Sequence, residues 1–318
     1  MKSIEHEQGK TIHRQTGKTF YVATRLFPPR IREQTYVLYG FFRIADEVVD
    51  GDFGLSPAEQ RRRLESIRDA AFGRRDAQEP VIRAFARLRE REGISDREVN
   101  AFIDAMVRDI GTSEYETYDE LSTYVRGSAA AVGNMMTAIM GVDEQVARPH
   151  AMALGEAFQL TNFLRDVSED VTDLDRVYLP VETLERHGAS IADVRARRCT
   201  PGVRKAVEAE LHRAERRYRT GVAGIEYLPR DCQFSVLLAA VLYAEHHRLI
   251  RNCGFDVVSN RPTLSRTRTL WLTARTWWHW KRLGDPVGVF ARVSAVPMDQ
   301  PETFERTTDL DRPVTPND

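Results

Sequence analysis

Four aspartates recur at helical spacing in two pairs, Asp46 with Asp50 and Asp166 with Asp170. On a helix, residues four apart share a face with Cβ atoms about 5–6 Å apart, and two carboxylates that close repel unless a cation lies between them. The chain carries 47 acidic residues in 318. About seven such pairs then arise by chance, and most are solvated faces. The setting separates these two. The first lies in Tyr39-Gly-Phe-Phe-Arg43-Ile-Ala-Asp46-Glu-Val-Val-Asp50, with Arg43 one turn before Asp46 and Tyr39 one turn before Arg43, among Val37, Leu38, Phe41, Phe42, Ile44, Val48 and Val49. The second lies in Gln159-Leu-Thr-Asn162-Phe-Leu-Arg165-Asp166-Val-Ser-Glu-Asp170. There Gln159, Asn162, Asp166 and Asp170 form one polar stripe, and Leu160, Phe163, Leu164 and Val167 surround it. Such a stripe is costly in a core unless something polar fills the space beside it.

The chemistry that uses this set is diphosphate ionisation. Mg2+ prefers oxygen and is held by one or two carboxylates, with waters and substrate phosphates completing its shell. Two facing aspartate pairs would hold Mg2+, or Mn2+, against a diphosphate and neutralise the charge that builds on the leaving group. The carbocation left behind needs a dry pocket.

Helices must position these residues. The sequence lacks sustained alternation of β-branched residues and lacks Asn-Gly or Asp-Gly hairpins, whereas apolar residues recur with helical period. The pattern predicts helices over about 31–50, 57–72 (Ser56 as cap, Pro57 at the first position), 78–92, 95–111, 118–140 and 144–170. Further helices are predicted over 181–187, 190–196, 201–225, 229–252 and 266–283. Nothing splits this body, so residues 1–283 read as one all-α domain. Residues 284–318, rich in Pro and acids, read as a mobile C-terminal tail.

The bulk numbers exclude several classes. Lys plus Arg is 46 against 47 acids, a net charge of -1, so no global field points to nucleic acid. Cys199, Cys232 and Cys253 form no CxxC pair and suit a reducing compartment. The N-terminus lacks the apolar run of a signal peptide, and the apolar stretch near 234–244 is too short to span a bilayer. The expected location is cytoplasmic, with peripheral contact on the inner face of the cell membrane as an open question. That question rests on Trp271, Trp277, Trp278, Trp280, Arg275, Lys281 and Arg282, which suit a bilayer interface. The same helix could equally pack one face on the body.

The two aspartate motifs, followed by Arg176-x-Tyr178-Leu-Pro180, resemble the head-to-head trans-isoprenyl diphosphate synthases, the squalene and phytoene synthases. The resemblance runs from about Thr16 to about Arg282. The Tyr-Leu-Pro ending and the Phe20-Tyr21-x-Ala23-x-Arg25-x-x-Pro28 opening look closest to microbial phytoene synthases. This resemblance implies an isoprenoid-synthase-type helical bundle around a central cavity. It implies Mg2+-dependent condensation of two geranylgeranyl diphosphates, through prephytoene diphosphate, to 15-cis-phytoene, with no need for NADPH and with hand-off to a phytoene desaturase. It implies Asp46, Asp50, Asp166 and Asp170 as metal ligands, Gln159 and Asn162 beside the second pair, and Arg43, Lys18, Thr19 and Arg176 toward the diphosphate. Tyr39, Tyr124 and Tyr243 resemble tyrosines that face phosphate or cation, and Asp109 matches an acid at the cavity. Candidate cavity walls are Phe41, Val132, Met135, Met136, Ile139 and Leu164.

Three places depart from the family pattern, one of them Thr16-Gly17 in the Thr16-Gly17-Lys18-Thr19 segment, where Ser is frequent. Asp175 stands where Gly is frequent and puts extra negative charge near Arg176. Glu114 precedes Tyr115 where an Arg is frequent. Two other readings remain: a squalene or dehydrosqualene synthase using farnesyl diphosphate, and a non-catalytic assembly factor of the same fold. The four aspartates argue against the second.

Overall fold

The computed structural model describes residues 22–51 and 54–298, and no strand occurs among them. Lys18 and Thr19 lie outside the described residues. Helix α1 (Pro29–Asp50) opens with Pro29 at its first position and carries the first aspartate pair in its last two turns. α2 (Pro57–Ala71) starts at a capping box between Ser56 and Glu59, as its sequence signature requires. α3 (Pro80–Glu92) stops at Gly93, whose φ of 66° is the left-handed conformation that glycine adopts freely. α4 (Asp96–Asp109) ends on the acid predicted at the cavity. Phe41 of α1 stacks on Phe85 of α3 with ring centroids 3.8 Å apart, which locks the first motif helix against its neighbours.

The helix predicted over 118–140 is one rod with a wide turn in the middle: α5 (Tyr118–Val125), a π-helical turn (Arg126–Ala130) and α6 (Ala131–Met140). Gly127, inside that turn, presses so close to α4 that a Cβ there would sit 2.3 Å from the Ala101 carbonyl oxygen. α7 (Glu144–Leu174) is the 31-residue axis of the fold and carries the second motif. It outruns its predicted end by one turn because Asp175 closes it in the left-handed conformation, φ 53°, with its backbone N–H donating to the Asp170 carbonyl. That backbone requirement explains why glycine suits this position, and aspartate is among the few other residues that tolerate it. The Asp175 carboxylate is 77% exposed and paired with Arg195, which also reaches Glu114 at 3.5 Å. The extra charge expected beside Arg176 is therefore turned outward and neutralised.

Two short helices, α8 (Val181–Arg186) and α9 (Ile191–Arg195), lead to α10 (Pro201–Ala223), which packs along α7. α11 (Arg230–Asn252) and α12 (Arg266–Leu283) follow. The body continues past Leu283, where the sequence pattern places a mobile tail. α13 (Pro286–Val293) is capped by Asp285 and buries Val289, Phe290 and Val293, with Val296 beyond it. The prolines that suggest a tail include Pro286 at a helix start, a position proline favours. Residues 299–318 lie outside the described ones. No helix among the described residues is long and apolar enough to cross a membrane.

Candidate active site

The first aspartate pair is held by two arginines. Arg43 donates to the Asp46 carboxylate one turn away. Arg176, just beyond α7, donates from Nη1 to Asp50 Oδ1 at 2.6 Å and to Asp109 Oδ2 at 2.9 Å. Tyr124 Oη donates to the same Asp109 oxygen at 3.3 Å. Arg176 is aimed by the end of α7, where its backbone N–H donates to the Asp170 carbonyl at 3.0 Å. Burial pushes the Asp109 carboxyl up to about 7, against the pull of Arg176. Burial, and then the charge of Asp50, push Asp46 up to about 6. Tyr124 and Tyr178 are held well above the ordinary phenol range, chiefly by burial.

The second pair sits on α7. Asp166 accepts from Arg165, at 2.8 Å from Nε and again from Nη2, and from Arg261 Nε at 3.1 Å. Burial pushes Asp170 up to about 8, reinforced by Asp166 and then by Asp50 of the first pair. Arg176 bridges the two pairs, its backbone N–H on the Asp170 carbonyl and its guanidinium on Asp50. Phe163 and Tyr178 stack at 4.0 Å beneath them, with Tyr115 and Tyr124 at 6.0 Å from Tyr178.

The donor set suits a hard divalent cation. Carboxylates that raise one another's pKa lose that penalty when a cation enters. Among the described residues no three His, Cys, Asp or Glu side chains converge as a closed metal cage. Pairs of carboxylates with open positions match a cation that shares its shell with phosphate oxygens. Two buried polar atoms, Asn162 Oδ1 and Asp109 Oδ1, have no hydrogen-bond partner in the protein. A buried acceptor without a donor costs about 1–3 kcal/mol, so both atoms ask for a ligand.

Beside this polar mouth opens an apolar cavity of about 320 Å³. Tyr39, Gln159, Asn162 and Tyr243 line its polar end, and Met140, Ala147, His150 and Leu228 also face it. Along α7 the lining runs from Asn162 back to Ala147, roughly 22 Å at 1.5 Å per residue. Tyr243 stacks on Phe158 at 4.5 Å, and burial pushes its phenol up to about 12.

The family model described as squalene/phytoene synthase matches residues 13–268. The chain belongs to the squalene/phytoene synthase family. It is 34% identical over 256 residues to a phytoene synthase from Thermus thermophilus, covering 80% of this chain and 86% of that one. It is 31% identical over 272 residues to a phytoene synthase from Rhodobacter capsulatus, covering 82% and 78%. A dehydrosqualene synthase solved with a ligand superposes with a TM-score of 0.79 at 25% identity, over 88% of this chain and 98% of that one. A squalene synthase from Alicyclobacillus acidocaldarius gives 0.71 at 27% identity, over 79% and 94%.

Within this family fold the structure gathers Tyr39, Arg43, Asp46, Asp50, Asp109, Tyr124, Gln159, Asn162, Asp166, Asp170, Arg176 and Tyr243 around one mouth and cavity. The cavity walls need correction. Val132 and Met136 line it, but Phe41, Met135, Ile139 and Leu164 are buried in the core, and Phe42 faces the cavity in place of Phe41. Adjacent helical positions differ by about 100° in direction, so one step in register exchanges wall for core. Arg261 was not legible as a site residue. It reaches Asp166 from 95 positions away, out of the segment before α12, and no motif marks it. Arg165 adjoins Asp166 in sequence, and its bonding to that acid is the missing half of the motif.

Proposed function

We propose that this chain is a phytoene synthase, joining two geranylgeranyl diphosphates head to head and releasing two diphosphates. The observation that carries the reading is a pair of facing Asp-x-x-x-Asp arrays at the mouth of a long apolar cavity. Its run of roughly 22 Å along α7 suits a four-isoprene chain, about 20 Å extended at about 1.3 Å per main-chain bond. A three-isoprene farnesyl chain, about 15 Å by the same measure, would leave the turn around Ala147 and His150 empty.

Mg2+ bound by Asp46, Asp50, Asp166 and Asp170 would supply charge to the departing diphosphate. Arg43, Arg165 and Arg176 stand among these acids, where their guanidinium forks suit diphosphate oxygens. The C1–O bond of one substrate breaks, and the double bond of the second attacks the allylic cation. Proton loss then closes the cyclopropane of prephytoene diphosphate. A second ionisation, rearrangement and proton loss give the C40 hydrocarbon. No electrons are gained or lost from outside, so no NADPH is consumed. Tyr243, Phe158 and Phe42 offer ring faces to the cation, and the unpartnered Asn162 oxygen offers a dipole. The apolar walls keep water from quenching it. Tyr124 and Tyr178, held protonated, position Asp109 and Arg176 rather than take up a proton. Such a product leaves for an apolar acceptor, which favours a location at the inner face of the cell membrane and hand-off to a desaturase.

The structural likeness to dehydrosqualene and squalene synthases favours a second reading, with farnesyl diphosphate as substrate. Incubation of purified protein with Mg2+ and either prenyl diphosphate, with and without NADPH, separates the two by product mass. A C40 product from geranylgeranyl diphosphate without NADPH is expected. Asp46→Ala and Asp166→Ala should each lower its rate by at least roughly 10²–10³-fold. A C30 product alone would move the assignment to the second reading, and no product from either substrate would overturn both.

A further inference from the structure

All four tryptophans of the chain, Trp271, Trp277, Trp278 and Trp280, lie on α12. Of this helix only Leu272 and Thr276 are buried, and it packs against α11 and α13. Leu270, Trp271, Trp277, Trp278, Lys281 and Arg282 fall at i, i+1, i+7, i+8, i+11 and i+12, a single stripe, and all are exposed. Leu270 is 71% and Trp277 53% exposed, values that a core-packing role would not leave. Trp280 packs on the body against Phe234, so the packing face of α12 and its exposed tryptophan stripe are different faces.

The charge of this helix has one sign. It carries Arg266, Arg268, Arg275, Lys281 and Arg282 and no acid. Arg268 and Arg275 lie over the Trp271 ring, Lys281 over Trp277, and Arg282 over Trp278 at 3.6 Å. Glu245 offsets Arg268 from beneath at 2.9 Å, while Lys281 and Arg282 have no acid beside them among the ion pairs of the described residues. Indole rings with cations at their rims are the composition that settles at headgroup level in a bilayer, with long basic side chains reaching the phosphates. Two copies set face to face would oppose cation to cation, which disfavours a second chain as the occupant. The other side of α12 borders the cavity wall: Trp280 contacts Phe234 of α11, and Val236 and Ala239 of α11 line the cavity.

We infer that the exposed Trp and Arg/Lys stripe of α12 docks on an anionic lipid bilayer, indoles among the headgroups and Lys281 and Arg282 on lipid phosphates. This deepens the reading of a membrane-side enzyme and rests on it for its purpose. Its test needs no substrate, so failure here leaves the product assay untouched.

Because every tryptophan sits on α12, tryptophan emission of the full chain comes from this helix, three of its four indoles lying on the exposed stripe. The chain is mixed with vesicles of phosphatidylcholine, or of phosphatidylcholine with about 30% phosphatidylglycerol, at low and raised salt. Co-sedimentation with the anionic vesicles, a blue shift of emission and quenching by brominated acyl chains are expected, all weakened by salt. Lys281→Gln with Arg282→Gln should weaken binding by about 10–30-fold. Trp277→Ser with Trp278→Ser should weaken it by at least about tenfold. Circular dichroism and the thermal transition should stay unchanged. If the tryptophan variant unfolds, the charge variant still decides. No binding to anionic vesicles, equal binding to neutral ones, or binding without change in emission would overturn the inference. A blue shift that grows with protein concentration in the absence of lipid would reassign the stripe to self-association. Capture of an acidic protein without lipid binding would reassign it to that partner.

Discussion

Asp46 and Asp50 end a helix whose other face is locked in the core; Arg176, only 11% exposed, ties Asp50 to Asp109 and Tyr178 on separate elements, Tyr124 holds Asp109 in turn, and Asp46 pairs with Arg43 on its own helix. Asp166 and Asp170 likewise lie in the last turns of α7, but the second cation on Asp166 is Arg261, 44% exposed and carried by the segment before α12. Asp50 is thus part of a buried network through Arg176 and Asp109, whereas Asp166 takes one of its two cations from an arm that water can reach. Buried networks fail when one member is removed, whereas exposed ion pairs exchange partners at little cost. A site built from one of each has a fixed wall and an adjustable one.

The strongest way to break this contrast is Arg176→Ala. It leaves Asp109 buried beside Asp50 without its cation, and a loss of up to about 3–5 kcal/mol in stability is expected from denaturant unfolding above about pH 8. Burial holds the Asp109 carboxyl up at about 7. The loss should therefore shrink near pH 5.5, where that carboxyl is protonated and no longer needs the guanidinium. An equal loss at both pH values would refute the charge-network account.

A middle-sized effect concerns the cation. Asp46 at about 6 and Asp170 at about 8 keep protons in the fold that the unfolded chain, at an ordinary 3.8, has already released. Their contribution to stability is full below about pH 4 and is lost as pH rises through 6 to 8. Mg2+ binds the deprotonated acids and should restore it. The rise in Tm on adding Mg2+ should be a few degrees larger at about pH 8.5 than at about pH 6. Asp170→Asn should flatten that difference, and a pH-independent rise would count against the carboxylates as ligands. The smallest effect belongs to Arg261→Ala. Stability should change by less than about 1 kcal/mol, and the change should fade as salt is raised. A loss as large as that of Arg176→Ala would erase the distinction between the walls.

Most helix positions were legible because their ends carry local chemistry: Ser56 and Glu59 at a start, Gly93 and Gly141 at stops. The two aspartate stripes were legible because a helix fixes its own periodicity. What escaped depends on the chain meeting itself. The π turn at Arg126–Ala130 coincides with Gly127 pressing on α4, and nothing local to the sequence marks it. Phe41 and Phe42 are interchangeable in composition, and only the position of Phe85 decides which one is core. Arg261 joins the site through a contact that spans 95 residues. The helix after Leu283 was hidden by its prolines, although Asp285 and Pro286 are a sound start signal.

Along α7 the cavity is bounded partly by peptide backbone. A Cβ on Gly133 would lie 2.3 Å from the Ala151 carbonyl oxygen, one on Gly155 would lie 2.5 Å from that of Ala129, and one on Gly221 would lie 2.7 Å from Leu154 Cα. At these three points the bore is set by main-chain atoms, which substitution cannot trim. An evolving lineage could lengthen or shorten this cavity by exchanging side chains such as Met140 or Leu228. Its calibre at the glycines would stay fixed unless whole helices moved apart. Substrate length is therefore an open variable for descent with modification, and chain thickness a nearly closed one.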